Sequence, residues 1–457
     1  MGTAKPIFSG GVVDAAGHPA QPSEEGTGEA LPLRAVGHAR WVVCAMLFYA
    51  TTKNYMDRQV LGILAPDLQS KLHWTESEYG YMISAFQVAY SIGMVAAGRF
   101  LDRAGTRVAY AVMMLVWSVA SAAHALVSTA LGFGICRFFL GLGEGGNFPA
   151  AIKTTTEWFP QKERSFATGI FNAGTSVGAV LAPLLVPWIA IHYGWRAVFV
   201  FTGALGLLWL AWWWTSYQPP EQNLQLSAEE YAYIRSGQVA DDVETGEVAP
   251  GWRQLLARRQ AWGYMLGKFL TDPVWWFYLF WLPKFLDAHY HIGLSHLGPP
   301  LIAVYLVSDI GSVGGGGLPA FLMRRGMVAS RARLTPMLLS AFCVLPVLLA
   351  AHAKHEWLAV AVVSLAAAAH QAWSCNLYTT ASDMFPASAI GTLTGLGGMA
   401  GSVGGVLMSA AAGLTLQWTG SYTPLFVYSA FAYLLAFGTL QLLAPGLPRV
   451  NMTSRRS

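Results

Sequence analysis

Apolar stretches of about 20 residues recur along almost the whole chain, and lipid is the solvent that such stretches are built for. Twelve of them are expected, at 41–65, 79–101, 107–129, 131–155, 166–190, 196–217, 261–286, 299–323, 334–352, 357–381, 390–414 and 422–444. Lipid offers the backbone no hydrogen-bond partner, so each span must form all its backbone hydrogen bonds internally, as an α-helix does. Because 54% of the 457 residues are hydrophobic and only 11% are charged, a soluble domain is excluded. The predicted fold class is an all-α membrane protein with twelve transmembrane helices.

Basic residues predict the orientation of these spans. They concentrate in the connections after spans two, four and eight: Arg99, Arg103, Arg107, Lys162, Arg164, Arg324, Arg325, Arg331 and Arg333. Loops rich in Lys and Arg stay on the cytoplasmic side of a membrane. Both termini are therefore expected in the cytoplasm, in agreement with an even number of spans. The net charge of +4 reports orientation and predicts no nucleic-acid partner.

The pattern divides the chain into five parts. Residues 1–40 are polar and are expected to form a disordered cytoplasmic tail without a cleavable signal peptide. The spans of 41–217 form one six-helix bundle and those of 261–445 form another. Between them, 218–260 is a polar cytoplasmic linker, and 446–457 is a cytoplasmic C-terminal tail.

The two sets of six spans repeat one another. Residues 157–169 match 383–395, and residues 176–181 match 402–407, both at an offset of 226. Two matches at one offset indicate duplication, and duplicated bundles bind their substrate near the midplane and rock around it. The 48 glycines fit helices that approach closely and slide.

Span four contains the most informative charges, Arg137 and Glu144. Seven residues make nearly two helical turns, so both side chains project from one face. A charge at membrane depth costs at least ~2.5 kcal/mol, and such groups usually mark a substrate or proton path. A glutamate in low-dielectric surroundings can exchange a proton near neutral pH, which makes Glu144 the first candidate for a proton carrier. The alternative is a structural ion pair that locks two helices.

Span one carries a second polar cluster, Asn54 to Gln59. Asp57 can partly neutralise Arg58, and protonation of Asp57 then releases the guanidinium toward an anion. Arginine suits that role because its planar fork binds a carboxylate through two parallel hydrogen bonds. The alternative is that this segment is simply the outer end of a helix.

Uncharged polar residues occur on two further spans of the first bundle. Gln87 and Tyr90 lie one turn apart on span two, and Asn172 and Thr175 lie one turn apart on span five. These donors and acceptors suit a polyhydroxylated ligand. Each of them is equally explained, taken singly, as an interhelical contact.

The second bundle offers candidates on spans seven and ten. Lys268 and Asp272 stand four residues apart with Pro273 next to the carboxylate, and a purely structural pair at helix spacing is the alternative. His370 lies 226 residues after Glu144, and it opens the segment His370-Gln371-Ala-Trp373-Ser-Cys-Asn376. The two polar patches occupy equivalent places in the repeats.

A loop between spans two and three reads Gly98-Arg-Phe-Leu-Asp102-Arg103-Ala-Gly105-Thr-Arg107. Asp102, Arg103 and Arg107 can pair with helix ends and hold one conformation, so we assign them to gating. The alternative is an anchor that only sets topology.

These residues carry a resemblance that covers about residues 40–445. The loop from Gly98 to Arg107 resembles the hallmark of the major facilitator superfamily. The combination of Asn54-Tyr55-x-Asp57-Arg58, Arg137-x6-Glu144-Gly and Trp158-Phe159-Pro160 is similar to the anion:cation symporter family. The run from Thr271 to Phe285, which contains Asp272-Pro273 and Trp275-Trp276, looks like bacterial hexuronate transporters.

The resemblance implies two pseudo-symmetric six-helix bundles and proton-driven uptake of glucuronate or galacturonate across a bacterial inner membrane. It implies that Tyr55, Arg58 and Tyr90 hold the sugar acid and that Asp57 and Glu144 are protonated. Arg137 and Lys268 are expected nearby, with Gln87, Asn172, Thr175, His370, Gln371, Trp373 and Asn376 as further substrate contacts. A monomer without a cofactor is expected, with protons, the substrate and the bilayer as partners.

Other classes of function are weighed against this one. A symporter for another anion, such as an aldonate or an aromatic carboxylate, needs the same cations. A membrane sensor is disfavoured because no signalling domain is appended. An enzyme is disfavoured because no catalytic constellation or phosphate loop is found, and His289 and His291 have no further metal ligands nearby.

Overall fold

The computed structural model describes residues 38–223, 226–235 and 251–450. The predicted N-terminal tail, the middle of the linker and the end of the C-terminal tail lie largely or wholly outside these residues. Every regular element in the described ranges is helical. The helices are α1 Ala39–Leu72, α2 Glu76–Ala123, α3 Ala130–Glu144, α4 Asn147–Trp158, α5 Gln161–Tyr193, α6 Trp195–Ser216, α7 Ala228–Arg235, α8 Trp252–Leu256, α9 Arg259–Tyr290, α10 Gly298–Arg324, α11 Ala329–Val344, α12 Glu356–Met384, α13 Ala387–Thr419 and α14 Thr423–Leu443.

All twelve predicted spans fall on helical segments, and the second half of the ninth is a 3₁₀ helix, Leu345–His352. Two of them share α2, which turns at Gly105 with a φ of 73°, a conformation that favours glycine. Another span is divided into α3 and α4 by Gly145 and Gly146. We call α1 to α6 the N half and α9 to α14 the C half.

Eight helical stretches are long and apolar enough to cross a membrane, and the longest, Glu76–Leu126, holds two of the predicted spans. Three predicted spans lie outside this set: span one on α1, span four on α3–α4 and span seven on α9. These are the spans that carry the charged candidate residues. Large apolar side chains such as Val95, Ile310 and Phe431 are exposed on the surface. Within the spans, charged side chains such as Arg58, Arg137 and Glu144 are buried while apolar side chains are exposed, as in a multi-pass membrane protein.

The internal repeat is visible in the helix boundaries. Helix α4 ends at Trp158 and α12 at Met384, 226 residues apart, and α5 and α13 end at Tyr193 and Thr419 with the same separation. The Phe-Pro turns that start α5 and α13 have nearly equal backbone angles, with φ of −63° at Pro160 and −66° at Pro386. The duplication inferred from sequence is thus matched by equivalent helix ends.

The linker contributes a short helix that docks on the N half. Arg40 of α1 pairs with Glu163 of α5 at 3.0 Å and with Glu230 of α7 at 3.3 Å. The hydroxyl of Tyr233 donates to Glu163 at 2.7 Å. These contacts attach α7 to α1 and α5.

The halves meet most closely at one end of the molecule, which we call the sealed end: the end where α1 finishes and α2 begins. Glu76 forms an ion pair with Lys284 there, and the Tyr79 hydroxyl donates to the Phe280 carbonyl at 2.6 Å. Helices α2 and α13 cross at Gly80, against the backbone of Gly413. Nearer the middle of the helices, the Ser176 hydroxyl donates to Asp309 at 2.8 Å.

Candidate functional site

Arg58 lies at the centre of the most highly charged part of the interior. Its Nε lies 3.0 Å from Glu144 Oε2, and the side chains are 4% and 0% exposed. The guanidinium carbon lies 4.9 Å from the ring centre of Tyr55, 4.5 Å from that of Tyr90 and 5.7 Å from that of Trp276. Trp276 belongs to the C half, so Arg58 is placed where the halves face each other.

Asp57 points away from Arg58. It pairs with Lys53, one turn earlier on α1, and accepts a hydrogen bond from Trp117 Nε1 at 2.5 Å. The expected pairing of Asp57 with Arg58 is therefore wrong for this structure. Consecutive residues on a helix face different directions, whereas residues four apart share a face. The spacing of Lys53 and Asp57 was a signal for the pair that sequence reasoning missed.

Glu144 is the last residue of α3, and the chain breaks its helix immediately after it. Gly145 and Gly146 allow this turn to lie against α2, where Gly145 faces the carbonyl of Tyr90. Asn54 Nδ2 donates to the Glu144 carbonyl at 3.4 Å. This hydrogen bond joins the end of α3 to α1, close to the contact of Glu144 with Arg58.

Arg137 is on α3 with Glu144, as expected, and is fully buried. None of its three guanidinium nitrogens has a hydrogen-bond partner among the described residues. Its guanidinium carbon lies 5.7 Å from the ring centre of Phe86. Arg137 and Glu144 are therefore not paired with each other, since Glu144 bonds to Arg58.

The uncharged candidates of the N half occupy different positions. Tyr90 is buried beside Arg58, and Thr175 is partly buried. Gln87 donates to the Ser409 hydroxyl at 3.1 Å, which joins the two halves. Asn172 is exposed.

Lys268 and Asp272 form an ion pair on α9, with 2.9 Å between Nζ and Oδ2. Lys268 Nζ also donates to the Tyr378 hydroxyl at 3.0 Å and lies 4.2 Å from the centre of that ring. Tyr378 comes from α12, two turns beyond His370, and sequence reasoning missed it. The cation is therefore held by two helices of the C half.

Three of the span-ten candidates pack between helices of the C half. His370 Nδ1 shares a 2.7 Å hydrogen bond with the Tyr433 hydroxyl, and its ring stacks on Trp275 at 5.3 Å. Trp373 is fully buried against Tyr433. Asn376 Nδ2 donates to the carbonyl of Gly315 at 2.8 Å. Gln371, beside them, is partly buried.

Two of the three residues expected in gating contact other helices of the N half. Asp102 pairs with Lys153 of α4 at 2.7 Å. Arg107 donates to the carbonyl of Trp214 of α6 at 2.7 Å, and Arg103 is exposed. These contacts attach α2 to α4 and α6.

Comparison with known proteins gives consistent matches. A family model described as "Major Facilitator Superfamily" matches residues 47–409. The hexuronate transporter of Escherichia coli (strain K12) is 32% identical over 404 residues, which is 88% of this chain and 93% of that protein. The galacturonate transporter of Dickeya chrysanthemi is 35% identical over 62% of this chain and 83% of its own length. The D-galactonate transporter of Escherichia coli O6:H1 is 28% identical over 89% of this chain and 97% of that protein.

Solved structures agree on the fold. An inward-facing, occupied bacterial homologue of the human lysosomal transporter Spinster superposes with a TM-score of 0.69 at 19% identity, covering 90% of this chain and 96% of that one. A D-xylose-proton symporter superposes with a TM-score of 0.66 at 15% identity, covering 88% and 95%.

Proposed function

We propose that this chain, which belongs to the Major Facilitator Superfamily, is a proton-coupled symporter that imports hexuronates such as glucuronate and galacturonate. The chain is a membrane transporter and not an enzyme. Its relatives of 28–35% identity are named for the transport of sugar acids, which supports the same class of substrate here.

One observation carries the proposal: a buried arginine bonded to a buried glutamate inside an aromatic cage contributed by both halves. A substrate carboxylate and the Glu144 carboxylate compete for the same guanidinium. Protonation of Glu144 removes its negative charge, so Arg58 becomes available to the substrate through paired hydrogen bonds. The rings of Tyr55 and Tyr90 then lie beside the sugar.

The same competition gives a release step. When Glu144 loses its proton, the Arg58–Glu144 pair re-forms and displaces the substrate. Asp57 provides the second protonation site of the proposal, because its bond to Lys53 depends on the charge of the carboxylate. Arg137 supplies further positive charge around the pocket, while Lys268, paired with Asp272, and Gln371 contribute from the C half.

We further propose a direction for the cycle. Under the positive-inside rule both termini are cytoplasmic. The bacterial relatives support the inner membrane as the location, so the sealed end would face the periplasm. Contacts between the halves at that end support an inward-facing state. The moving bodies are residues 41–217 and 261–445, joined by the 218–260 linker, and the transporter acts as a monomer.

Substitution of Glu144 tests the coupling. Glu144→Gln keeps the shape of the side chain but cannot release a proton, so we expect accumulation of labelled glucuronate against a gradient to be lost. Exchange of internal for external glucuronate is expected to continue. Glu221→Gln, on an exposed linker residue paired with Arg235, is the matched control. If Glu144→Gln still concentrates glucuronate, coupling through Glu144 is wrong.

A second candidate is a symporter for an aldonate or another carboxylate, which the similarity to a D-galactonate transporter favours. Competition separates the two. Galacturonate should inhibit the uptake of labelled glucuronate more strongly than galactonate or phthalate does. Stronger inhibition by galactonate would make the aldonate the preferred substrate.

A further inference from the structure

The ion pair of the C half is only partly enclosed. The Lys268 side chain is 4% exposed, whereas that of Asp272 is 19% exposed. Lys268 Nζ lies 2.9 Å and 3.2 Å from the two oxygens of Asp272 and donates to the Tyr378 hydroxyl at 3.0 Å. The cation is therefore matched by a carboxylate that is the more exposed partner of the pair.

Helix α13 is shaped to hold this pair. A side chain at Gly401 would collide with the carboxylate of Asp272. A Cβ at Gly397 would press on the ring of Tyr264 and come within 3.1 Å of Lys268 Cδ. The two glycines lie one turn apart and leave room on α13 for the side chains of Lys268 and Asp272. The packing of α13 against α9 therefore accommodates this ion pair specifically.

The pair lies on the same side of α9 as the residue that reaches Arg58. Lys268, Asp272 and Trp276 are spaced four residues apart and share a helix face. At 1.5 Å per residue, Asp272 is ~6 Å and Lys268 ~12 Å along the axis from Trp276. The ring centre of Trp276 lies 5.7 Å from the guanidinium carbon of Arg58. Asp272 and Lys268 are therefore placed one and two helical turns beyond the residue of α9 that reaches Arg58.

We infer that Asp272 determines specificity by making the far end of this site electrically neutral. This inference rests on the proposed function, in which Arg58 binds the carboxylate of the substrate. Lys268 then shares its N–H donors between Asp272 and a hydroxyl or ring oxygen at the opposite end of the sugar. A hexarate, which carries a carboxylate at each end, brings its second negative charge next to Asp272 and is repelled. Selectivity for a sugar acid with one carboxylate over one with two thus comes from repulsion between Asp272 and the second carboxylate.

Inhibition of labelled glucuronate uptake by galacturonate and by galactarate tests this role in proteoliposomes. For the unaltered protein we expect galactarate to inhibit at least tenfold more weakly than galacturonate. Asp272→Asn leaves Lys268 charged and unopposed, so the ratio of the two inhibition constants should shrink at least tenfold. Combining it with Lys268→Gln removes the unopposed cation, and the ratio should return toward that of the unaltered protein.

Lys268→Gln alone gives an independent test, because it leaves Asp272 charged without a partner. The ratio of the inhibition constants of galactarate and galacturonate should then increase. For a variant that does not transport, the thermal stabilisation of the purified protein by each of the two ligands replaces the inhibition constants. An equal ratio in the unaltered protein, Asp272→Asn and Lys268→Gln would overturn the role of Asp272. Absence of glucuronate uptake by the unaltered protein would instead overturn the proposed function.

Discussion

Arg58 has the bonding pattern of a group that exchanges partners. Its Nε is bonded to Glu144, while its Nη2 and the second oxygen of Glu144 have no hydrogen-bond partner among the described residues. Leaving a buried polar group unpaired costs ~1–3 kcal/mol, so a ligand that supplies the missing bonds is favoured. The rings of Tyr55 and Tyr90 hold the guanidinium in place while it changes partner.

Replacement of Arg58 by lysine keeps the charge but removes the fork and the stacking surface. We expect Arg58→Lys to raise the KM for glucuronate at least ~10-fold, equivalent to about 1.4 kcal/mol of binding. Initial rates of uptake across a range of glucuronate concentrations measure this. Arg235→Lys, on the exposed linker helix, is the control, and an unchanged KM in Arg58→Lys would show that Arg58 does not hold the carboxylate.

Lys53 and Asp57 are predicted to be energetically coupled because both are buried. Lys53→Met leaves the Asp57 carboxylate without its cation, and loss of one partner of a buried pair costs ~3–5 kcal/mol. The double variant with Asp57→Asn removes the lone charge, so its thermal stability in detergent should exceed that of Lys53→Met. Additive losses in the two single variants would contradict this coupling.

At the scale of helices, α2, α9 and α13 meet at the sealed end, and we predict that this contact keeps that end closed. Lys284 of α9 pairs with Glu76 of α2 and lies 4.8 Å from the ring centre of Tyr79. Gly80 and Gly413 let the backbones of α2 and α13 approach, since a Cβ on Gly413 would lie 3.1 Å from Gly80 Cα. Small residues at such crossings allow close helix contact in membranes.

Gly413→Leu should hold the sealed end open. The added side chain prevents α2 from closing on α13, so transport should be lost while the opposite conformation becomes populated. Ser84 donates to the Val406 carbonyl across this contact, so a Ser84→Cys substitution reports on its opening. With the four native cysteines replaced, the thiol introduced by Ser84→Cys should react faster with a polar thiol reagent when Gly413→Leu is also present.

Gly438→Leu is the matched control, because nothing lies within 4 Å of a Cβ at that position. It should leave the labelling rate of the Ser84→Cys protein unchanged. Equal labelling with and without Gly413→Leu would contradict the assignment of this crossing to closure.

The helices were predictable because apolar runs and repeated motifs can be read directly from the sequence. The turns at Pro160 and Pro386 are one example, since the residue before proline is kept extended and the helix must restart. The family predicted from the motifs is confirmed by the match over residues 47–409.

The partners of the charged groups were less predictable, because they depend on how each helix is rotated about its axis. Asp57 was expected to pair with Arg58, yet it is bonded to Lys53 and Trp117. Tyr378 contacts Lys268 from a residue 110 positions away, a separation that no local pattern encodes. The roles of Asp57, Glu144 and the other candidate residues in transport remain predictions.

At the scale of the whole molecule, the central claim is that substrate and proton share one arginine between two halves that alternate. The halves are joined by the ion pair of Glu76 with Lys284 and by the bond from Ser176 to Asp309, and the account expects the ion pair to break when the opposite end closes. Arg58 lies between the halves in this structure, since its cage is drawn from α1, α2 and α9.

Proton movement measured together with substrate movement tests this claim most directly. Purified protein in liposomes that contain a trapped pH indicator receives an inward gradient of labelled glucuronate, with no imposed pH gradient. The account predicts that the lumen acidifies as glucuronate enters, in a fixed ratio of protons to sugar acid. Entry of glucuronate at the same rate without any change in luminal pH would contradict it.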